Sequence, residues 1–561
     1  MLINNLSEAS LYGLVAVLIF LTARTVYRLT IHPLAKYPGP FLSKITSLPV
    51  YLQAITGDRH LIQLQEHRKY GSIVRIAPNQ LSFSDPAALR TIYQSGRGNN
   101  PLRKSPWYET IDAPSGAYSL HTEISRTKHA TKRKVIEGAF ADSALRELEP
   151  FVVANVTTLV SLLANDQATS DAGDMKGRTA AWSKSKNMSD LATWFAYDVM
   201  GDLVFGQRFD CMTSAEHRFV PRLLMSSSAF VYPIAHLPFQ FLIRPIISSP
   251  TLMSLFGGQL AKDEHAYVEY ANNQVTDRIS RQSAHDGNQT KIQRKDVMHY
   301  ILEAPTAFTR TELDAESSLL IAAGADTTST TLAAALFYLT LQSSAAYLRM
   351  LTEELRSKFS TIDSMTGIQL SPTAIPLLRA VIEETLRLSP SVPTHLGRLV
   401  VQRPGLAIPA SDGTEEFVPT GTIVGAAAYV VHRDPSAFPY ADEFRPERWL
   451  PADSSAEKSL LLQNPEQVAL AKTAFCAFSL GSRGCVGKSL AYLELSLALA
   501  RIIWSYNIRR AQAVEIGNDV SKIGEERRAR GWQVSDDEYQ LVDRFLAERD
   551  GPWLQFQART D

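Results

Sequence analysis

From Ser317 to Leu348 the chain carries one formal charge, Asp326. A run of that length either crosses a bilayer or lies inside a protein with other elements around it. The threonines, the serines, Gly324 and Asp326 favour the second, because buried polar groups need partners and a buried charge usually has a task. Thr311-Glu312-Leu313-Asp314, just ahead, reads as a capping-box start. With 561 residues, 45% of them hydrophobic, the chain can bury a large core in one big domain or two. Lys+Arg and Asp+Glu are equal at 57 each, so bulk charge gives no reason to expect nucleic acid as a partner. The three cysteines, Cys211, Cys476 and Cys485, are too few and too odd in number for a disulfide framework.

Cys485 sits in Phe478-Ser479-Leu480-Gly481-Ser482-Arg483-Gly484-Cys485-Val486-Gly487, and an apolar helical run, Ser489 to Ile503, follows directly. A thiol at a helix N-terminus is biased toward thiolate by unpaired N–H groups and the helix dipole. Gly481, Gly484 and Gly487 let backbone approach a flat partner, Phe478 offers an aromatic face and Arg483 a fork for a carboxylate. That set suits a thiolate ligating haem iron, with Arg483 on a propionate. Cys476 lacks flanking glycines and reads as packing.

Spacing and order in Phe-x-x-Gly-x-Arg-x-Cys-x-Gly resemble the haem loop of the cytochrome P-450 superfamily at every position of that motif. Four more segments follow the family order. Ala323-Gly324-Ala325-Asp326-Thr327-Thr328 is similar to the oxygen-activation motif, which implies that Thr327 bonds the oxygen species, Asp326 feeds the proton relay and Ala323 borders the substrate. Glu384-Thr385-Leu386-Arg387 and Pro446-Glu447-Arg448 resemble the Glu-x-x-Arg and Pro-Glu-Arg segments, implying a buried Glu384, Arg387 and Arg448 triad. His129-Ala130-Thr131-Lys132-Arg133 stands where the family has Trp-x-x-x-Arg; Arg133 carries over as a propionate ligand, and histidine replaces the tryptophan. The other positives of Arg126–Lys134 suit docking of an acidic electron donor. Ser391 to Arg398 is expected beside the haem, with Arg398 a third propionate ligand and His395 a substrate contact.

Ala9 to Ala23 is uncharged, and Arg24 and Arg28 follow it, which suits a signal anchor with the bulk of the chain in the cytosol. A cleaved signal peptide would want positive charge before the apolar run, where Glu8 is the only side-chain charge. The prolines of His32 to Pro40 make a stiff connector. Residues 1–30 are therefore read as a transmembrane anchor, 31–45 as a proline-rich hinge and 46–561 as the haem domain. Tyr70 to Ser84 reads as two strands split by Pro78-Asn79. Residues 167–188 and 283–295 read as loops. Leu223 to Ala261 holds four prolines and one full charge, Arg244; it reads as an apolar lid or a loop dipping into a membrane. Gly531 to Gln540 and Asp550 to Leu554 suggest a hairpin region whose tip could reach substrate.

The resemblance implies a mainly α cytochrome P-450 fold with a small β-rich part, binding haem b through Cys485. It implies a monooxygenase of the endoplasmic reticulum membrane, single-pass and facing the cytosol. Its electrons would come from NADPH through a flavin-containing reductase, and its substrate would be a lipophilic small molecule of fungal secondary metabolism. A reductase-independent haem-thiolate isomerase or peroxygenase, and a non-catalytic haem-binding protein, are the rival readings.

Overall fold

The computed structural model describes residues 2–94, 101–111, 116–164, 181–286, 295–304, 308–450, 465–512 and 522–559. Helices dominate, and short strands form sheets of five, three, two and two strands. The nearly uncharged run is the helix Arg310–Leu339. Its capping box lies two residues earlier than the sequence suggested: Thr309 is the N-cap and its N–H donates to the Glu312 carboxylate at 2.8 Å. A short 3-10 turn and the helix Ala345–Lys358 complete the stretch. Leu332 to Leu336 are five consecutive residues at 0% exposure, more than one full turn, so no face of this part meets solvent or lipid. The helices Met188–Phe205, Gly258–Asp286 and Lys488–Ser505 pack against it. At Gly324 a Cβ would come within 2.2 Å of the Met200 sulfur. The group that needs that glycine is a side chain of the neighbouring helix.

The five-stranded sheet runs in the order Ile73–Ala77, Gln80–Phe83, Ile423–Gly425, Arg398–Val400, Leu102–Lys104. The first two are the strands read around Pro78-Asn79. The last pairing places Lys104 directly opposite Arg398. The C-terminal hairpin is Leu541–Arg544 against Leu546–Arg549, between the two segments suggested from sequence, with Phe545 at its tip at φ 76°.

Leu223 to Ala261 breaks into Phe219–Ile234, Gln240–Ile247, Pro250–Phe256 and the start of Gly258–Asp286. Pro250 opens the third helix, where its missing N–H would have no partner anyway, and Pro233 lies in the last turn of the first. Val231 and Tyr232 turn inward, whereas Phe239, Leu242 and Leu255 are exposed.

Leu2–Thr30 is one helix, and its part Leu11–Thr30 is long and apolar enough to cross a membrane, with none of that window buried against the protein. The connector after it is welded to the sheet. The Arg75 side chain donates to the Arg28 carbonyl at 2.9 Å, the Arg75 N–H to the Pro38 carbonyl at 2.8 Å, and Leu34 and Tyr37 are buried. Of the two expected loops, residues 167–180 and 287–294 lie outside the described residues. Residues 283–286 instead continue a helix, and Lys186–Asn187 form a strand.

Candidate active site

Backbone geometry fixes the cysteine loop. Cys485 N–H donates to the Phe478 carbonyl at 2.9 Å and Gly484 N–H to the Gly481 carbonyl at 2.9 Å. Gly481 has φ +68°, and a Cβ there would come within 2.7 Å of the Tyr93 carbonyl oxygen, so both backbone and space require glycine. Gly487 is different. A Cβ on it would meet only Phe140 at 3.9 Å and the Cys485 sulfur at 4.0 Å, so nothing in the chain demands glycine there. The loop leads into the helix Lys488–Ser505, with Gly487 as N-cap. Burial pushes the Cys485 thiol up, while the Gly487 N–H and the charges of Arg133 and Lys488 pull it back. The helix terminus alone does not outweigh desolvation, contrary to the sequence expectation. Phe478 packs on Tyr492 with ring centroids 5.2 Å apart.

Cys485 lines a cavity of about 390 Å³ together with Phe478, Gly487, Ala323 and Thr327. Val231, Val268, Leu319, Val392, Phe545 and Leu546 make much of its wall apolar. A hollow of about 600 Å³ shares Tyr93, Lys104, His129, Arg133 and Arg483 with it, and adds Arg398 and Gly481. Here cations crowd together. Arg483 donates to the Glu123 carbonyl at 2.6 Å and the Ile124 carbonyl at 3.2 Å. Arg398 reaches the Tyr108 hydroxyl at 3.2 Å, and Arg133 reaches the Gly484 carbonyl at 2.6 Å and Glu137 at 2.5 Å. Burial first, then Arg398, brings Arg483 down to about 10. Burial, then Arg483 and Lys104, drives His129 to about 2, so its imidazole is neutral. Lys104 opposite Arg398 on paired strands is an unfavourable like-charge pair unless an anion lies between. Not all of the basic run belongs to a surface: Lys132 is buried on Glu312 and Glu316 at 3.1 and 3.5 Å, and His129 is buried too.

Thr327 donates its hydroxyl to the Ala323 carbonyl at 2.7 Å, and its own carbonyl accepts from Ser391 and Thr331, both at 3.0 Å. These hydroxyls compete with the backbone ladder of the helix beside the cavity. Asp326 is not on the cavity wall. It is buried against the C-terminal hairpin, where Arg549 pairs with it at 2.9 Å. His395 also leaves the expected place. Its Nδ1 faces Arg59 at 3.2 Å and Gln63 at 3.3 Å, and its neighbours Thr394 and Leu396 line the cavity instead. A residue the motifs did not single out, Glu494, does line it, and burial lifts its carboxyl to about 8 against a hydrogen bond with Thr328.

Behind the loop, Glu384 accepts from Arg387 at 2.8 and 2.9 Å, from Arg448 at 3.0 Å, from the Trp449 indole at 2.9 Å and from the Arg445 N–H at 2.9 Å. Burial alone would raise this carboxyl; Arg387 and Arg448 overcome it and hold it low. Arg387 also donates to the His432 carbonyl at 2.8 Å. The Cys476 N–H donates to His432 Nε2 at 2.9 Å, which leaves the Nδ1 proton for the Arg387 carbonyl at 3.1 Å. Cys476 is thus buried scaffolding, and its carbonyl accepts from Ser479 N–H at 2.8 Å in the loop itself. His432 links the triad to the cysteine loop.

The cytochrome P450 family model matches residues 38–522. The chain belongs to the cytochrome P450 family. Similar relatives are fungal. The P450 is 32% identical over 559 residues to the cytochrome P450 monooxygenase fscF of Fusarium equiseti, covering 97% of this chain and 95% of the relative. It is 32% identical to poxM of Penicillium oxalicum, with 96% and 93% covered, and 32% identical to atnE of Emericella nidulans, with 95% and 94% covered. Both are likewise cytochrome P450 monooxygenases. The chain is accordingly a P450 monooxygenase whose family implies a haem-thiolate cofactor. The site fits that group: Gly487 keeps clear a place that a side chain would fill, and the crowded cations want carboxylates.

Proposed function

We propose that this P450 oxidises a lipophilic small molecule of fungal secondary metabolism, by hydroxylation or a related oxygen insertion. Electrons come from NADPH through a separate flavin-containing reductase at the endoplasmic reticulum membrane. The observation that carries the reading is that Cys485 and Thr327 line one cavity whose remaining wall is largely apolar. Haem b, when bound, supplies the iron at which dioxygen is activated. Cys485 would be its thiolate ligand; the Gly487 N–H and the charges of Arg133 and Lys488 work against the burial that disfavours the ionised sulfur. Arg133, Arg398 and Arg483 hold the propionates, each through charge-assisted bonds. Thr327 presents its hydroxyl to the oxygen site, and Asp326, behind the cavity wall, takes part in relaying protons toward it. The exposed Arg126, Lys128 and Lys134 form the docking face for the reductase.

Anchoring through residues 1–30, with residues 31–45 as connector, keeps residues 46–561 on the cytosolic side; the apolar helix Leu11–Thr30 supports this. The test is the membrane fraction of an expressing fungus, given NADPH and dioxygen, together with the metabolite profile of a deletion strain. One metabolite should accumulate on deletion and be consumed by the membranes only with NADPH. Consumption with hydrogen peroxide alone at the same rate would favour a reductase-independent enzyme.

A further inference from the structure

The acid of the oxygen site is held by a segment far along the chain. Arg549, the last residue of the C-terminal hairpin, pairs with Asp326 at 2.9 Å, and the two side chains are 4% and 5% exposed. Its other Nη donates to the Thr193 hydroxyl at 2.8 Å and to the Ser329 hydroxyl at 2.5 Å. The guanidinium thus grips the central helix at two places one turn apart and the helix Met188–Phe205 at a third. One oxygen of Asp326, Oδ2, is buried without a partner. A carboxylate so placed needs its cation, and it keeps one acceptor site for a proton donor. Further along the same hairpin, Phe545 and Leu546 line the cavity.

We propose that Arg549 is the positioning residue of the proton path: it keeps Asp326 charged and aimed, and ties that acid to the hairpin that borders the substrate. The proposal rests on the reading of Asp326 given above. Other groups facing the pair are Tyr197 and Tyr267, which feel the charge of Asp326, and Asp190, which feels Asp550, Arg549, Arg218 and Arg222. Arg549 is the cation bonded to Asp326 itself, so its loss strands the carboxylate, and a stranded buried carboxyl takes up a proton.

The test compares haem-loaded Arg549→Gln, Arg549→Lys, Asp326→Asn and the double variant Asp326→Asn/Arg549→Gln. Infrared spectra at neutral pH should show a protonated-carboxyl band in Arg549→Gln that is missing from Arg549→Lys and from the double variant. With NADPH and added flavoprotein reductase, the share of electrons lost as hydrogen peroxide should rise severalfold in Arg549→Gln and in Asp326→Asn. The double variant should be no worse than Asp326→Asn, since the two act as one unit. No new band, a band that survives in the double variant, or additive peroxide losses would overturn the proposal. If Asp326→Asn leaves the peroxide share unchanged, the role of Asp326 fails, while the infrared band still reports whether Arg549 clamps it. Should Arg549→Gln not load haem, Thr193→Val with Ser329→Ala removes the two bonds that aim the guanidinium. A peroxide share unchanged in that pair would equally overturn the proposal.

Discussion

Two cysteines nine residues apart in the sequence have unlike settings, and the difference is electrostatic as much as steric. Cys476 is buried, bonded through its N–H to His432, and burial alone pushes its thiol up to about 12. Both cysteines border the cavity, but at Cys485 the Gly487 N–H, Arg133 and Lys488 oppose the effect of burial. Cys485→Ser should abolish the thiolate-type shift of the reduced carbon monoxide spectrum, and Cys476→Ser should keep it; the reverse result would overturn the assignment of the ligand. The motif made Cys485, Gly481 and Arg483 legible, because a loop of fixed backbone shape demands fixed residue types. His395 was misread because a loop residue next to Thr394 can point either way, and the buried Arg59 and Gln63 claim it. A second residue-scale prediction concerns His67. Burial brings it from 6.5 to about 4, partly offset by its bond to the Gly71 carbonyl. Its folded value is depressed, so the unfolded chain takes the proton first, and stability is intact above the ordinary histidine value and lost as pH falls from 6.5 toward 4. Compared with His67→Gln, the natural chain should lose up to about 3 kcal/mol more over that window, measured by urea unfolding at stepped pH.

Between elements, a dense joint forms around Glu384 on the helix Pro376–Leu388. Five donors from two segments, Arg387 on the same helix and the stretch Arg445 to Trp449, meet one carboxylate at 0% exposure. Removing it strands two buried guanidiniums, a loss of about 3–5 kcal/mol. Glu384→Ala should therefore yield little haem-loaded protein, judged by the ratio of haem absorbance to protein, and a normal ratio would refute the account. His432→Phe keeps the aromatic stack on Phe475 but breaks the link to Cys476. It should fold yet release haem faster, and unchanged haem retention would remove His432 from the loop's support. The i,i+3 spacing of Glu384 and Arg387 was legible from helix geometry. Neither Trp449 nor His432 was, because their part depends on which segments cross behind the helix.

For the molecule as a whole, the N-terminal helix and the five-stranded sheet meet at Arg75, which bonds the last turn of that helix and, through its N–H, the proline connector. A chain lacking residues 2–30 should keep its carbon monoxide spectrum and become extractable from membranes by alkaline carbonate, whereas the full chain stays in the pellet. Retention of the shortened chain in the carbonate pellet would count against a single spanning anchor. The sequence by itself determined the cysteine loop, with Gly481, Arg483 and Cys485 at fixed places in it, and where the long apolar N-terminal helix lies. Those depend on local backbone shape and on uninterrupted runs of one character, both of which are written in consecutive residues. Only the tertiary structure decided that Met200 explains Gly324, that Lys104 confronts Arg398, and that Arg549 owns Asp326. Each of these is a contact between residues more than a hundred positions apart, and no periodicity or spacing in the chain encodes which distant side chain will arrive.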